Sequence, residues 1–321
     1  MMSSNNRPKS ITSLKLKITV VLILILSAVS ATVFSVINLS YLEENYLYAN
    51  GAPTTILPIL AITSVALAVI GTSFVKKSDY SVKELPSDRT SMIYMLSLFF
   101  VALFLAIFVL YVMHGAFDIG YGISIKGNAD LMEKLETATL FYQIMIILSP
   151  IAPIYFLVMS FKRKTSSFFG TLTLLWILAY ILRTYFDITD WVMSPRKLSM
   201  LCAMCFAALF ILYEVRFSFA RGNIRRYFFM SAITTVFCFS AGLTGVISSV
   251  LGVYPSSFEI PYYGVAFALG LYAAIRLCSI AFAVSEKEVN AENQINNESY
   301  KSEKSEENEE NENGAKGTEN V

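Results

Sequence analysis

The chain has 321 residues, of which 55% are apolar and 15% are charged, and its mean hydropathy is +0.57. A typical soluble domain contains about 25% charged residues. The apolar residues form long unbroken blocks rather than periodic stripes, which excludes an ordinary water-soluble fold. The composition therefore predicts an all-α fold, a polytopic transmembrane helical bundle.

Eight segments have the length and composition of membrane crossings. A helix needs about 20 apolar residues to cross the hydrocarbon core, and backbone groups in lipid must be bonded within a helix or a closed barrel. Five of these segments are uncharged. The fifth, sixth and eighth segments are long enough to cross only if Arg183, Glu214 and Arg276 lie near a membrane face. The predicted crossings are residues 18–37, 55–75, 92–113, 138–161, 166–186, 198–216, 227–250 and 262–284.

Lysine and arginine alternate between rich and poor connections. Segments 1–17, 76–91, 162–165 and 214–226 are rich in them, whereas 39–54 and 251–261 have none. Because cytoplasmic loops carry the excess of basic residues, both termini are predicted to be cytoplasmic, which requires an even number of crossings. We expect the protein in the bacterial cytoplasmic membrane. The segment 183–197 fits this pattern less well, since it is also basic.

The first crossing also resembles a secretory signal. A basic segment precedes an apolar stretch that contains Val29-Ser30-Ala31, a sequence similar to a cleavage site. The apolar run continues through Leu39, so we expect an uncleaved helix. Cleavage would leave seven crossings and an outer N-terminus.

Three regions follow from composition: a basic cytoplasmic segment 1–17, the transmembrane domain 18–285 and an acidic tail 286–321. The tail holds eleven glutamates and four lysines, a net charge of −7, whereas the rest of the chain carries +8. The tail has almost no apolar content, so we expect it to be disordered and cytoplasmic. It suits contact with a protein partner, or it is a solvating appendage. The basic residues flank crossings rather than sharing one face, which argues against binding of nucleic acid.

Charged residues inside crossings are the first functional candidates, because they are costly there. Glu214 and Arg276 are predicted at similar depths in helices that run in the same direction. Neither has an acid or base three or four residues away in its own helix. We hypothesise an ion pair between the two helices. The alternative is that each side chain extends separately to the nearest headgroups.

A second candidate is a polar cluster at the outer ends of two crossings. Arg183, Asp187 and Asp190 lie at i, i+4 and i+7, on one helical face, and His114 and Asp118 follow the third crossing. A small polar solute would find partners there. The alternative is a set of ordinary interfacial residues beside aromatic anchors.

Two motifs concern helix shape and packing. Pro150 and Pro153 each remove a backbone hydrogen bond, so they predict a kink in the fourth crossing, and broken helices line binding sites in many transporters. Ala241, Gly245 and Ser249 recur at four-residue spacing in the seventh crossing. Small residues at this spacing predict a close helix–helix contact.

No sequence motif identifies a reaction. The chain has no phosphate-binding loop, dinucleotide fingerprint or nucleophile elbow, and its one histidine argues against a histidine-based metal centre. Cys202 and Cys205 form a C-x-x-C without a second ligand pair, so we expect packing residues. No cofactor is predicted. Three functions remain: a non-enzymatic sensor, assembly or regulatory protein that acts through partners; a transporter or channel for a small solute; or, with least support, a membrane-embedded enzyme.

Overall fold

The computed structural model describes residues 14–43, 47–76, 96, 98–99, 101–107, 129–161, 167–186, 194–253 and 259–282. These residues are almost entirely helical. Eight helices have defined bounds: α1 Leu14–Tyr41, α2 Ile56–Phe74, α3 Ala129–Leu148, α4 Ile151–Phe161, α5 Ser167–Phe186, α6 Pro195–Ser218, α7 Ile224–Val250 and α8 Glu259–Phe282.

The described part of the chain has seven stretches long and apolar enough to cross a membrane, with α3 and α4 sharing one of them. The all-α, multi-pass architecture expected from the sequence is therefore confirmed, and the protein is integral to the membrane with lipid around its apolar surface. The predicted third crossing, 92–113, lies largely outside the described residues, although 101–107 are helical.

Contacts near the helix ends give the relative directions of α1, α2 and α7. Thr244 near the end of α7 bonds Ala31 in the second half of α1, so these two helices are parallel. Arg225 at the start of α7 bonds the carbonyl of Val75, just after α2, so α2 is antiparallel to both. One end of the bundle, which we call the basic end, carries Lys15, Lys17, Lys76, Arg216, Arg221, Arg225 and Arg226. We call the other end, where α1 ends and α6 begins, the opposite end.

Local capping determines where α6 begins. Ser194 has an extended backbone, its hydroxyl accepts a hydrogen bond from the Lys197 amide at 3.2 Å, and Pro195 occupies the first helical position. Serine at the N-cap and proline at the first position both favour a helix start. The helix therefore begins three residues before the predicted start at residue 198.

Helix α7 lies at the centre of the bundle and packs against α1, α2, α6 and α8. Its contact with α8 is close because two glycines face that helix. A Cβ at Gly242 would meet the backbone of Phe267, and one at Gly245 would meet the ring of Tyr263. Of the predicted small-residue pattern, Gly245 thus lies where α7 and α8 approach each other.

Hydroxyl groups on α7 bond backbone groups of its neighbours. Ser231 donates to the carbonyl of Ala273 in α8 at 2.7 Å. Thr234 donates to the carbonyl of Phe206 in α6 at 2.9 Å. Inside lipid such bonds have no competing water, so they help to fix how the helices are rotated against one another.

The segment with two prolines is interrupted rather than continuous. Helix α3 ends at Leu148, a turn contains Ser149 and Pro150, and α4 begins at Ile151. Ser149 is buried; its hydroxyl donates to the Met145 carbonyl at 2.7 Å and accepts from the Trp176 indole at 3.1 Å. The break is thus linked directly to α5. The helix also starts at Ala129, before the predicted residue 138, so its first turns are polar.

Candidate functional site: a buried charged cluster

Three helices bring four polar side chains together in the half of the bundle nearer the basic end. Glu214 lies on the last turns of α6, Tyr227 on the first turn of α7, and Tyr272 and Arg276 one turn apart on α8. We call these four residues the charged cluster. Each is at most 2% exposed. The short connection 219–223 between α6 and α7 places Tyr227 beside Glu214, because it returns the chain at once into the bundle.

The Glu214 carboxylate is the centre of the cluster. Its Oε1 lies 3.2 Å from Arg276 Nη2, and the same oxygen accepts a short hydrogen bond from the Tyr272 hydroxyl. Its Oε2 accepts a longer bond from Tyr227 at 3.4 Å. Arg276 Nε in turn donates to the Tyr272 hydroxyl at 3.0 Å. Tyr272 therefore bridges the acid and the base, and both carboxylate oxygens are bonded.

Aromatic rings surround the cluster. Phe210 stacks on Tyr227 at 5.3 Å between centroids, and Phe156 meets Tyr272 edge-on at 4.7 Å. The Arg276 guanidinium lies 5.1 Å from the centroid of the Tyr272 ring. A ring face attracts a cation, and apolar rings exclude water. The charges are thus desolvated together, in an arrangement where each partner compensates the other.

The arrangement suits a fixed structural link better than chemistry on a substrate. A general acid or base needs a position from which it reaches a reacting atom. Here the carboxylate is fully buried and its two oxygens already accept three side-chain bonds. Across the residues that the structure describes, no group of three or more His, Cys, Asp or Glu is positioned to hold a metal ion.

Of the predicted outer cluster, the structure describes only Arg183. Its guanidinium lies between the rings of Tyr142 and Tyr262, at 5.5 and 5.3 Å from their centroids. Tyr262 also accepts or donates a 2.6 Å bond with Thr184, and its carbonyl accepts from Tyr180 at 2.8 Å. This aromatic arrangement joins α3, α5 and α8 at the opposite end. Asp187, Asp190, His114 and Asp118 lie outside the described residues.

Sequence reasoning missed the two tyrosines. The predicted ion pair takes account only of acids and bases on the turns next to Glu214 and Arg276. Tyr272 precedes Arg276 by four residues, and side chains at that spacing share a helical face. A buried tyrosine hydroxyl needs a partner, so this spacing was a usable signal. No comparable signal exists for Tyr227, whose contact with Glu214 depends on how α6 and α7 pack.

Comparison with known protein families, with curated proteins and with solved structures gives no match to this chain.

Proposed function

We propose that this protein is a non-enzymatic multi-pass membrane protein that acts through protein partners, as a sensor, assembly or regulatory component. One observation carries the proposal: the charged cluster, the most concentrated polar chemistry among the described residues, is enclosed and internally bonded. A transported ion or a substrate would need an open route to these groups. A cluster of this kind instead fixes the register of α6, α7 and α8.

The proposed position in the cell follows from charge. We place both termini in the cytoplasm of a bacterial cell, because basic residues gather at the end where α1 begins and α8 ends. The acidic tail 286–321 then extends on the same side. A segment of net charge −7 without apolar content is suited to a basic surface on another protein, which it would reach quickly through long-range attraction.

The test is capture of partners from the native membrane by three forms of the protein: intact, lacking residues 287–321, and with the eleven tail glutamates replaced by glutamine. The third form keeps the length of the tail and removes its negative charge. A stoichiometric partner is expected with the intact protein and is expected to be lost from both altered forms. Equal recovery with all three forms would overturn the role of the tail, and absence of any stoichiometric partner would overturn the proposal.

A second candidate is a transporter of a small solute, and the interruption of the helix at Ser149 and Pro150 favours it. Interrupted helices place free backbone groups where solutes bind in many transporters. Purified protein in sealed vesicles, supplied with a panel of labelled solutes, separates the two functions. Uptake that Pro150→Ala and Pro153→Ala together abolish, while the tail deletion leaves it intact, would favour the transporter.

A further inference from the structure

The connection 219–223, which we call the α6–α7 turn, brings four arginines together at the basic end. Arg216 lies in the last turn of α6, Arg221 in the connection itself, and Arg225 and Arg226 in the first turn of α7. Arg216 is half-buried and the other three are exposed. Among the described residues none of the four forms an ion pair with an acidic side chain, and the nearby Glu214 is buried in the charged cluster. Like charges this close repel one another, so the set favours an anion from outside the chain.

The backbone of the turn fixes two of these arginines next to each other. The Arg221 amide donates to the Arg216 carbonyl at 3.0 Å, and the Ala220 amide donates to the Phe217 carbonyl at 3.1 Å. Ala220 has a φ of +54°, in the left-handed region. These features define a Schellman motif, in which the residues at the positions of Arg216 and Arg221 commonly form an apolar contact. Here both positions are arginine, so the motif holds two cationic side chains close together instead.

Two contacts hold the turn to the rest of the bundle. Phe217 is buried, and its ring meets the Tyr227 ring of the charged cluster edge-on at 5.4 Å between centroids. Arg225 Nε donates to the carbonyl of Val75 at 2.8 Å, which brings the exposed Lys76 to the same place. The basic groups thus extend from a fixed backbone, so less ordering is needed when an anion binds.

An exposed apolar stripe on α6 leads to these arginines. Cys205, Leu209 and Leu212 are exposed and follow one another at steps of four and three residues. Arg216 comes four residues after Leu212, and side chains at these spacings share one face of a helix. Phe219, which is 59% exposed, continues the stripe past Arg216. A cationic group at the end of an apolar stripe matches the two parts of a lipid, a phosphate and an acyl chain.

We propose that the α6–α7 turn and the stripe on α6 bind an anionic phospholipid. Its phosphate lies at Arg216, Arg221 and the first turn of α7, and one acyl chain lies along Leu209 and Leu212. Basic groups at the ends of crossings bind anionic head groups, and arginine binds phosphate through two parallel hydrogen bonds.

The surface selects this class of ligand over others. A zwitterionic lipid carries its own cation, so it gains less from four arginines. A soluble anion or an acidic peptide would leave the apolar stripe unused. The site is independent of the proposed function, because it uses neither the acidic tail nor a protein partner.

The test uses the full-length protein in phosphatidylcholine nanodiscs that contain a rising fraction of phosphatidylglycerol with a photoreactive diazirine in one acyl chain. Labelling as a function of probe fraction gives an apparent affinity, and peptide mapping gives the position. Saturable labelling is expected on the α6 peptide that contains Leu209 and Leu212. Unlabelled phosphatidylglycerol should compete with it.

Matched variants decide whether the arginines form the site. Arg221→Gln removes one charge from the turn, whereas Lys15→Gln removes one exposed charge at the same end from α1, which packs against α2, α7 and α8. Arg221→Gln should weaken labelling about fivefold, the effect of one basic residue beside anionic lipid, and Arg226→Gln in addition should weaken it about 25-fold in total. Arg221→Lys keeps the charge and should weaken labelling less than Arg221→Gln. Lys15→Gln should label as the parent protein does.

Four results would overturn the site: labelling that does not saturate, labelling on other helices only, equal weakening by Arg221→Gln and Lys15→Gln, or equal saturable labelling by a phosphatidylcholine probe with the same diazirine. Competition by inorganic phosphate or by a soluble poly-glutamate peptide would overturn the assignment to a lipid. If the double variant does not give a monodisperse protein, the comparison of Arg221→Gln with Lys15→Gln decides alone.

Discussion

Helices α2 and α8 are similarly apolar, but they occupy different positions in the bundle. In the most apolar stretch of α8, 72% of residues are buried, against 17% in α2. Hydrophobicity predicts that both cross the membrane, but it does not distinguish a helix that faces lipid from one that faces other helices. Lipid is as apolar as the protein interior, so packing in the membrane depends on small residues and polar bonds instead.

Polar side chains show the same contrast. In α2 the hydroxyls of Thr63, Ser64, Thr72 and Ser73 all bond carbonyls of their own helix, at 2.6–2.8 Å. Around α8 two buried polar bonds join different helices: Ser231 of α7 bonds the Ala273 carbonyl, and Arg276 bonds Glu214 of α6. A polar side chain within a crossing therefore has one of two roles. It bonds a carbonyl of its own helix, or it bonds a group on a neighbouring helix and links the two. The predictions below test this contrast.

The largest effect is expected from breaking the ion pair. Arg276→Ala leaves the Glu214 charge buried with one partner fewer, and it should lower the free energy of unfolding by about 3–5 kcal/mol. Two measurements test this: unfolding of the purified protein in detergent, and the yield of protein from membranes. Charge reversal at both sites, Glu214→Arg with Arg276→Glu, should recover part of what either single reversal loses. A double reversal that is no better than the single ones would argue that the attraction between the two charges contributes little.

A smaller loss is expected from Tyr272→Phe. The change keeps the ring but removes the hydroxyl that bonds both Glu214 and Arg276, and we expect a loss of about 1.5–3 kcal/mol, the contribution of a hydrogen bond to a charged group. Thermal unfolding in detergent measures the effect. Tyr185→Phe, at a half-exposed position on α5, is the control and should change little. Equal stability of the two variants would show that Tyr272 is not the bridge between the charges.

Close approach of α7 and α8 predicts an effect of comparable or smaller size at Gly242. A methyl group there meets the backbone of Phe267, which cannot rotate away, so Gly242→Ala should destabilise by about 1–3 kcal/mol. The control is Ser249→Ala on the same helix, since among the described residues the Ser249 hydroxyl bonds the Gly245 carbonyl of its own helix. If Gly242→Ala unfolds at the temperature of the parent protein, the contact is looser than the geometry indicates.

The smallest effect is expected when two buried serines are each replaced by alanine and the losses of stability are compared. Ser231→Ala removes a bond between helices and should cost about 0.6 kcal/mol, the average for such bonds in membranes. Ser64→Ala removes a bond within α2 and should cost less, because the carbonyl of Leu60 keeps its place in the helix. Both serines are at most 2% exposed, so burial does not separate them. A larger loss at Ser64 than at Ser231 would contradict the contrast between α2 and α8.

The sequence predicts the architecture well because each crossing leaves a local mark, a long run of mainly apolar residues. It also pairs Glu214 with Arg276, whose atoms lie 3.2 Å apart in the structure, because depth along a helix can be counted from its ends. The bond of Tyr227 to Glu214 and the rings around Arg183 depend on rotation and packing of several helices.

The turn at Ser149 and Pro150 has a practical consequence. The chain has two tryptophans, and the indole of one of them, Trp176, donates directly to the Ser149 hydroxyl. Any movement that opens the turn must break or lengthen this bond and change the polarity around the ring. With Trp191 replaced by phenylalanine, the fluorescence of Trp176 becomes a built-in reporter of bending between α3 and α4. The protein thus carries its own optical probe at the turn between α3 and α4.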